Sequence, residues 1–383
     1  MVSFKITLLI ISGLITLCTV LLILFLEGLQ KAWIKKIFNW VPSILFAYLI
    51  PAGLSALLNQ DYSEATIHTY SKTVLIPLAV LAVMSSLSLV QLKAVGWKPI
   101  AVFVSGSFWI ALFPVGFLFL FQNTSMVSEL FIDQEVWKAL PPVVGSWIGG
   151  STSQLVLKEV VACSEALFLT VLVLDNILVN LWTIGMFQSI KKSDSLNRLL
   201  RINGLSPPEL IEESQQKKTA PVLSLLLVLG LVFCVHVTIS SFVGKIVVLS
   251  FIGLGLGFFI KSWNRVFILK LGSILILIVM AVLGLKLKFS LIRFDPAFMS
   301  FLVVWLVSHF IFILGVAKVL KVNVAWVPIA SMANVGGIAT APAVTAAYKK
   351  EWMPHAIILA VLSMATGTFW GLLTIQLFRF FIL

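Results

Sequence analysis

The chain has 383 residues, of which 60% are hydrophobic and 11% are charged, and its formal net charge is +12. Soluble domains carry about 45–50% apolar and about 25% charged residues, so this composition excludes an ordinary soluble enzyme and a disordered chain. The basic residues lie in short loops between apolar runs, which makes them topology signals of a membrane protein and argues against a nucleic-acid partner.

Twelve apolar segments follow one another along the chain. The first is free of charge and long enough to cross a hydrocarbon core of about 30 Å, which favours a membrane helix over a signal peptide. The first half contains the segments 6–26, 37–58, 73–92, 97–122, 137–161 and 164–190. The second half contains 219–239, 243–260, 264–286, 294–317, 322–348 and 352–382. The polar linker 191–218 separates them, which predicts domains 1–190 and 219–383.

The fifth and the eleventh segments differ from simple spans. Each has a proline and, eight positions later, a Gly-Gly pair, either Gly149-Gly150 or Gly336-Gly337. Glycine is unfavourable inside a helix, and irregular backbone at membrane depth is tolerated only inside protein or along a water-filled cavity. The matched spacing predicts an internal repeat in which each pair forms a broken or re-entrant helical element. Close helix packing through small residues is the alternative.

The basic residues favour five spans in each half. If the two Gly-Gly segments are re-entrant and the first loop, with Lys31, Lys35 and Lys36, is inside, 17 basic residues lie inside and 8 outside. If all twelve segments cross, the split is 11 to 14, so the positive-inside rule favours the re-entrant alternative. The expected fold is an all-α polytopic membrane protein with two inverted repeats of about five transmembrane helices. The central linker is then cytoplasmic, and both termini are outside.

Candidate binding residues surround the two Gly-Gly pairs. A helix that begins at a break offers free N–H groups and a positive dipole end, which suit an anion. Freed carbonyls and hydroxyls suit a hard cation such as Na⁺, whereas the alternative is that each Ser or Thr bonds back to its own helix. The candidate substrate-binding residues are Gly149, Gly150, Ser151, Thr152, Ser153, Gln154, Asn334, Gly336, Gly337 and Thr340.

A second set of candidates begins with an acid in the middle of an apolar run. Asp175 is followed by Asn176, and Asn180 lies one turn after Asn176, on the same helical face as Asn176. An ionisable group at membrane depth is costly and indicates a functional site that binds Na⁺ or a proton; a structural hydrogen bond is the alternative. The matching part of the second half has no acid but contains Thr366 and Thr368. These five residues are the candidate ion-coupling residues.

Three motifs carry a resemblance to a known family. The sequences ANVGGIATAPAV (333–344), GSWIGGSTSQ (145–154) and LDN (174–176) resemble the YjcL-type family of bacterial membrane proteins, a family of unknown function, over nearly the whole chain. More distantly, paired Gly-Gly hairpins in inverted five-helix repeats are similar to the sodium/glutamate symporters and the 2-hydroxycarboxylate transporters. That resemblance implies movement of small carboxylates with Na⁺, by an elevator motion in the hydroxycarboxylate carriers.

The expected function is an ion-coupled secondary transporter of the bacterial plasma (inner) membrane. It would move a small organic anion, an amino acid or a short peptide, driven by Na⁺ or H⁺. A cation/proton antiporter is the nearest alternative, and a non-transporting receptor or scaffold is the alternative from another class. No catalytic, nucleotide-binding or zinc motif is present, so we expect no enzyme and no resident cofactor. The expected partners are the lipid bilayer and a small-molecule substrate, and a homodimer is compatible with the sequence.

Overall fold

The computed structural model of the protein describes residues 2–29, 31–40, 42–87, 92–202, 219–291 and 295–382. Within these ranges every regular element is helical, which confirms the predicted all-α class. A helix pairs its backbone polar groups within one segment, so it needs no water at membrane depth. Residues 203–218, most of the predicted linker, lie outside the described residues.

The helices follow the predicted apolar segments, with shorter helices between them. The α-helices are α1 (Val2–Gly28), α2 (Ala32–Trp40), α3 (Ser43–Leu57), α4 (Ile67–Tyr70), α5 (Ile76–Ser86), α6 (Leu92–Val95), α7 (Trp97–Phe121), α8 (Ser125–Val127), α9 (Leu140–Val160), α10 (Glu165–Lys191), α11 (Ser193–Leu199), α12 (Pro221–Thr238), α13 (Phe242–Phe259), α14 (Arg265–Gly284), α15 (Pro296–Leu320), α16 (Trp326–Val335), α17 (Gly337–Ala346) and α18 (Met353–Phe381). A π-helical turn, Ser71–Leu75, joins α4 to α5.

Nine helical stretches within the described ranges are long and apolar enough to cross a membrane. A helix of 20 residues is about 30 Å long, which matches the thickness of the hydrocarbon core. The nine are Ile6–Gly28, Ile67–Ser86, Trp97–Phe121, Glu165–Lys191, Pro221–Thr238, Phe242–Phe259, Arg265–Gly284, Pro296–Leu320 and Lys350–Phe381. The chain is therefore a multi-span helical membrane protein whose environment is a lipid bilayer.

The second predicted segment, 37–58, is divided between two helices. α3 has 15 residues and is about 22 Å long, shorter than the hydrocarbon core. α2 begins at Ala32, within the stretch that the sequence assigned to a loop because of its lysines. The reason is periodicity, since the apolar residues Trp33, Ile34 and Ile37, which flank Lys35 and Lys36, recur at helical spacing.

The chain divides into two compact units, and each unit combines segments from both halves of the sequence. Unit 1 comprises Met1–Ser86, Cys163–Asn176 and Lys217–Arg293, and unit 2 comprises Leu87–Ala162, Ile177–Gln216 and Phe294–Leu383. α10 is continuous, and its first part belongs to unit 1 and its second part to unit 2. The domains 1–190 and 219–383 stay a prediction, because a division into compact units does not test whether the two halves of the sequence are repeats.

Glycines set the helix spacing in unit 1. Gly253 of α13 and Gly272 of α14 both face α5 at positions where a Cβ would be too close to it. Gly284 of α14 lies against the backbone of Tyr48 in α3, and a Cβ there would approach the carbonyl carbon of Tyr48 within 2.9 Å. Small residues allow such close approach of membrane helices, so these contacts fix how α3, α5, α13 and α14 pack.

Unit 2 is built around α18, which packs along α9 and contacts α7, α16 and α17. α15 packs on α7, and aromatic rings fill the adjoining core. Trp109 stacks on Phe312 with ring centroids 4.4 Å apart, and the ring centroids of Trp147 and Trp305 are 4.7 Å apart. Aromatic pairs at these distances add stabilisation beyond their buried area, so they hold α15 against α7 and α9.

The described beginning of the linker is fixed to unit 2. The Asn197 side chain in α11 donates to Oδ1 of Asn323 at 2.9 Å and accepts from the backbone N–H of Val324 at 2.8 Å. The Tyr348 hydroxyl donates to the Asp194 carboxylate at 2.7 Å. Partial burial and then this bond to Asp194 raise the pKa of Tyr348. α11 therefore packs against the beginning of α16 and the chain just beyond α17.

We predict that Gly284→Ala strongly destabilises the protein, because its Cβ would collide with the backbone of Tyr48. Overpacking costs about 1–3 kcal/mol or more. Gly53→Ala in α3 is the matched control, since a Cβ there meets nothing within 4 Å and helical Gly→Ala changes are often stabilising by about 0.4–1 kcal/mol. Thermal unfolding in detergent compares the stability of the two variants. Equal melting temperatures would contradict the close contact between Gly284 and Tyr48.

Candidate functional site

α9 is interrupted at the first Gly-Gly pair. Gly150 has φ +70° and ψ −167°, a combination that is essentially restricted to glycine. Two half-helices result, 140–149 and 151–160, and the second begins at Ser151. The first N–H groups of a helix have no acceptor within that helix, so this new N-terminus can bind an external acceptor.

The second Gly-Gly pair also ends one helix and begins another. α16 stops at Val335, Gly337 has φ +65°, and α17 runs from Gly337 to Ala346. A Cβ on Gly337 would meet nothing within 4 Å, and the same holds at Gly150. Backbone conformation, not lack of space, therefore requires glycine at both positions. The path of these elements through the membrane stays a prediction.

α18 packs against the break in α9. A Cβ on Gly149 would lie within 2.9 Å of the Gly367 Cα, so the two backbones touch directly. The Ser363 hydroxyl donates to the carbonyl of Ile148, which satisfies a backbone acceptor just before the Gly-Gly pair. Protein groups thus replace water at the break, as burial of backbone polar groups demands.

Three of the predicted hydroxyl residues have structural partners. The hydroxyls of Ser153 and Thr368 are 2.8 Å apart and tie α9 to α18. Thr366 donates to the carbonyl of Leu362 at 3.0 Å, a bond back to its own helix. Ser151 is half-buried at the start of the second half-helix, and Thr152 is buried beside it.

The Asn334 amide connects α16 to α7, two residues before the second Gly-Gly pair. Its Nδ2 donates to the carbonyl of Phe103 at 3.3 Å, and its Oδ1 accepts from the Ser107 hydroxyl at 2.8 Å. Gly106 makes room for this arrangement, because a Cβ there would lie 2.8 Å from His309 Cε1 and 3.1 Å from Asn334 Nδ2. The side chain of Asn334 therefore positions the end of α16.

Gln154 and Thr340 differ from the other candidates, since each has a buried polar atom without a hydrogen-bond partner. These atoms are Nε2 of Gln154, a residue only 3% exposed, and Oγ1 of Thr340. Each side chain follows a Gly-Gly pair within about one turn of helix, and α9 contacts both α16 and α17. A buried polar atom left unpaired costs about 1–3 kcal/mol, and it calls for an explanation such as a water, an ion or a ligand.

Charged side chains are absent from the residues around both breaks. The stretches 140–157 and 326–347 contain no Asp, Glu, Lys, Arg or His. The charge nearest in sequence to the first break belongs to Lys158, whose Nζ lies 2.9 Å from the Glu159 carboxylate, and both side chains are largely buried. Polarity at the breaks therefore comes from backbone groups, amides and hydroxyls.

The predicted ion-coupling residues are divided between the two units. Asp175 is 9% exposed, and Asp175 and Asn176 belong to unit 1, whereas Asn180, Thr366 and Thr368 belong to unit 2. Over the part of the chain that the structure describes, no three His, Cys, Asp or Glu residues group as metal ligands do. That Asp175 couples an ion stays a prediction, and Na⁺ there would also need oxygens from amides, hydroxyls or carbonyls.

Two serines near the site make contacts that the sequence does not predict. Ser331 accepts a hydrogen bond from the Trp182 indole at 2.9 Å, and the role of Ser363 in bonding Ile148 was not foreseen. Ser363, Gly367 and Gly371 recur at four-residue intervals along α18, and this small-residue spacing is a known signal of close helix contact. It could have indicated the face that α18 presents to α9.

We predict that Gly150→Ala destabilises the protein by about 1–3 kcal/mol, because a Cβ strains this backbone conformation although space is available. Gly116→Ala in α7 is the control, since its Cβ is equally unobstructed and its backbone is not at positive φ. Thermal unfolding compares the two variants. If Gly150→Ala proves as stable as Gly116→Ala, the interruption of α9 at Gly150 is wrong.

Comparison with known proteins adds one finding to this geometry. No curated protein and no solved structure matches the chain. The sequence matches the family described as "Protein of unknown function (DUF819)" over residues 13–381. This confirms the predicted membership of an uncharacterised membrane-protein family, while the distant similarity to sodium/glutamate symporters stays a prediction. Because the match covers nearly the whole chain, the protein belongs to the DUF819 family.

Proposed function

We propose that the protein is an ion-coupled secondary transporter of a small organic anion, an amino acid or a short peptide. The observation that carries the proposal is the unpaired, buried amide nitrogen of Gln154, which lies just after a glycine-dependent interruption of a helix. Thr340 repeats this arrangement after the second interruption. Broken helices with polar groups at the break are the usual substrate sites of secondary transporters.

The chemistry of the breaks favours an anionic group on the substrate. The half-helix beginning at Ser151 and the helix beginning at Gly337 each offer backbone N–H groups and the positive end of a helix dipole. The Gln154 amide nitrogen and the Thr340 hydroxyl add donors. A carboxylate accepts such bonds without needing a basic side chain, and the stretches 140–157 and 326–347 around the breaks contain none.

The proposal includes inverted repeats with re-entrant elements and elevator-like alternating access. Matched interruptions in the two halves and the positions of the basic residues support this topology. In this topology the linker 191–218 is cytoplasmic and both termini are outside. The proposed location of the protein is the bacterial inner membrane. Both broken helices belong to unit 2, so unit 2 could carry a bound substrate as one body.

We expect a small carboxylate, amino acid or dipeptide to raise the melting temperature of the purified protein. A ligand present at 100 times its Kd stabilises the folded state by about 2.7 kcal/mol. The screen uses citrate, malate, glutamate, alanine and dialanine, each in NaCl and in choline chloride. Gln154→Leu should leave the ligand-free melting temperature unchanged or higher, because it removes an unpaired buried donor, and should abolish the shift.

The matched control is Gln376→Leu on an exposed position of α18, which should keep the full ligand-induced shift. Flux of the stabilising compound into proteoliposomes then tests transport itself. If no compound shifts the melting temperature and no flux occurs, a receptor or scaffold replaces the transporter. If Gln154→Leu keeps the full shift, the substrate does not bind at this amide.

A further prediction concerns the coupling ion at Asp175. A carboxylate that binds Na⁺ in the folded state should make the melting temperature rise with Na⁺ alone, and Asp175→Asn should remove that rise. Asp133→Asn, at an exposed position outside the spans, should behave like the natural protein. If Na⁺ has no effect but the ligand shift depends on pH through Asp175, the coupling ion is H⁺. If the ligand shift in Asp175→Asn keeps both its Na⁺ and its pH dependence, Asp175 does not couple an ion.

A further inference from the structure

The short helix α2 follows directly after the first membrane span. The spanning part of α1, Ile6–Gly28, has 23 residues and is about 34 Å long, enough to cross the whole hydrocarbon core. α2 begins only four positions after Gly28. It therefore starts where the hydrocarbon ends and the polar headgroups begin.

α2 has one side that packs on the protein. Ile34 is 4% exposed, and the ring of Phe38 lies edge-to-face with Phe46 of α3 at a centroid distance of 5.6 Å. Residues four apart share a helix face, so Ile34 and Phe38 form a single contact side. This side fixes the rotation of α2 about its axis and thus the direction of the remaining side chains.

A second side is apolar and exposed. Trp33 is 59% exposed and Ile37 is 43% exposed, and these two residues are also one turn apart. The exposed apolar face of α1 ends nearby, with Phe25 at 64%. Tryptophan is the residue typical of the membrane–water interface, because its ring is apolar and its N–H is polar.

The third side is basic. Lys35 and Lys36 are exposed on the remaining arc of α2, and Lys31 is exposed just before the helix. The acid closest along this stretch is Glu27, in the last turn of α1. Three lysines against one acid leave a local positive charge at the level of the lipid headgroups.

We propose that α2 is an interfacial helix that binds acidic phospholipid headgroups. Its Trp33–Ile37 side enters the acyl-chain boundary, and its lysines bind the phosphates of anionic lipids. Amphipathic helices with this division of residues lie in the interface plane. The adjoining apolar side favours a lipid over free phosphate, because inorganic phosphate offers nothing to cover Trp33 and Ile37. The proposal does not depend on the transport function.

The test uses the full-length protein in neutral detergent, titrated with phosphatidylglycerol or phosphatidylcholine, with melting temperature as the readout. We expect the protein to be stabilised at lower concentrations of phosphatidylglycerol than of phosphatidylcholine, and not by inorganic phosphate. A lysine near an acidic lipid surface contributes about fivefold in affinity, so Lys31→Gln/Lys35→Gln/Lys36→Gln should weaken the phosphatidylglycerol effect on the order of 100-fold. High salt should weaken it too.

The matched control is Lys191→Gln/Lys192→Gln/Lys318→Gln, which removes the same charge from exposed positions elsewhere and should keep the preference. Equal weakening in both triple variants would mean that net charge, not α2, selects the lipid, and the proposal would fall. An unchanged preference in the α2 variant, or stabilisation by inorganic phosphate alone, would also overturn it.

A second measurement does not depend on those variants. In bilayers with bromine-labelled phosphatidylglycerol, Trp33 should be quenched, so Trp33→Phe should reduce the total quenching of tryptophan fluorescence. If quenching is the same with and without Trp33, that ring does not enter the bilayer and the proposal is wrong.

Discussion

Unit 2 depends on one constraint, that a backbone polar group buried away from water must find its hydrogen-bond partner within the protein. An interrupted helix violates this condition locally, so the interruption has to be surrounded by protein. The contacts between α9 and α18 meet this need, because Gly149 and Gly367 let the backbones touch and Ser363 bonds to the carbonyl of Ile148. The close packing around the break follows from the break itself.

The sequence predicts those features that depend on local chemistry. Long apolar runs predict the spanning helices, since their hydrophobicity is a property of each segment alone. The interruptions at Gly150 and Gly337 are predictable too, because glycine is unfavourable in a helix and both pairs stand at matched positions. The amphipathic α2 differs from the sequence prediction, because Lys31, Lys35 and Lys36 indicate a loop, whereas the flanking apolar residues Trp33, Ile34 and Ile37 recur at helical spacing.

The contacts between distant segments were beyond sequence reasoning. The sequence predicts Asn334 as a candidate ligand, whereas in the structure its amide bonds to Phe103 and Ser107, more than 200 positions earlier in the chain. Ser153 and Thr368 likewise bond to each other across 215 positions. No local pattern reveals which polar side chain meets a partner and which stays unpaired, so the distinction between Asn334 and Gln154 needed the fold.

The lack of ionisable side chains in the stretches 140–157 and 326–347, around the two breaks, has an electrical consequence. An anion held there by amides, hydroxyls and helix dipoles would keep its full charge, since neither stretch contributes a basic side chain to compensate it. Each elementary charge that crosses a membrane potential of 100 mV changes in free energy by about 2.3 kcal/mol. For a cargo with this binding chemistry, the membrane voltage itself becomes a driving force or a barrier, depending on how many cations accompany each anion.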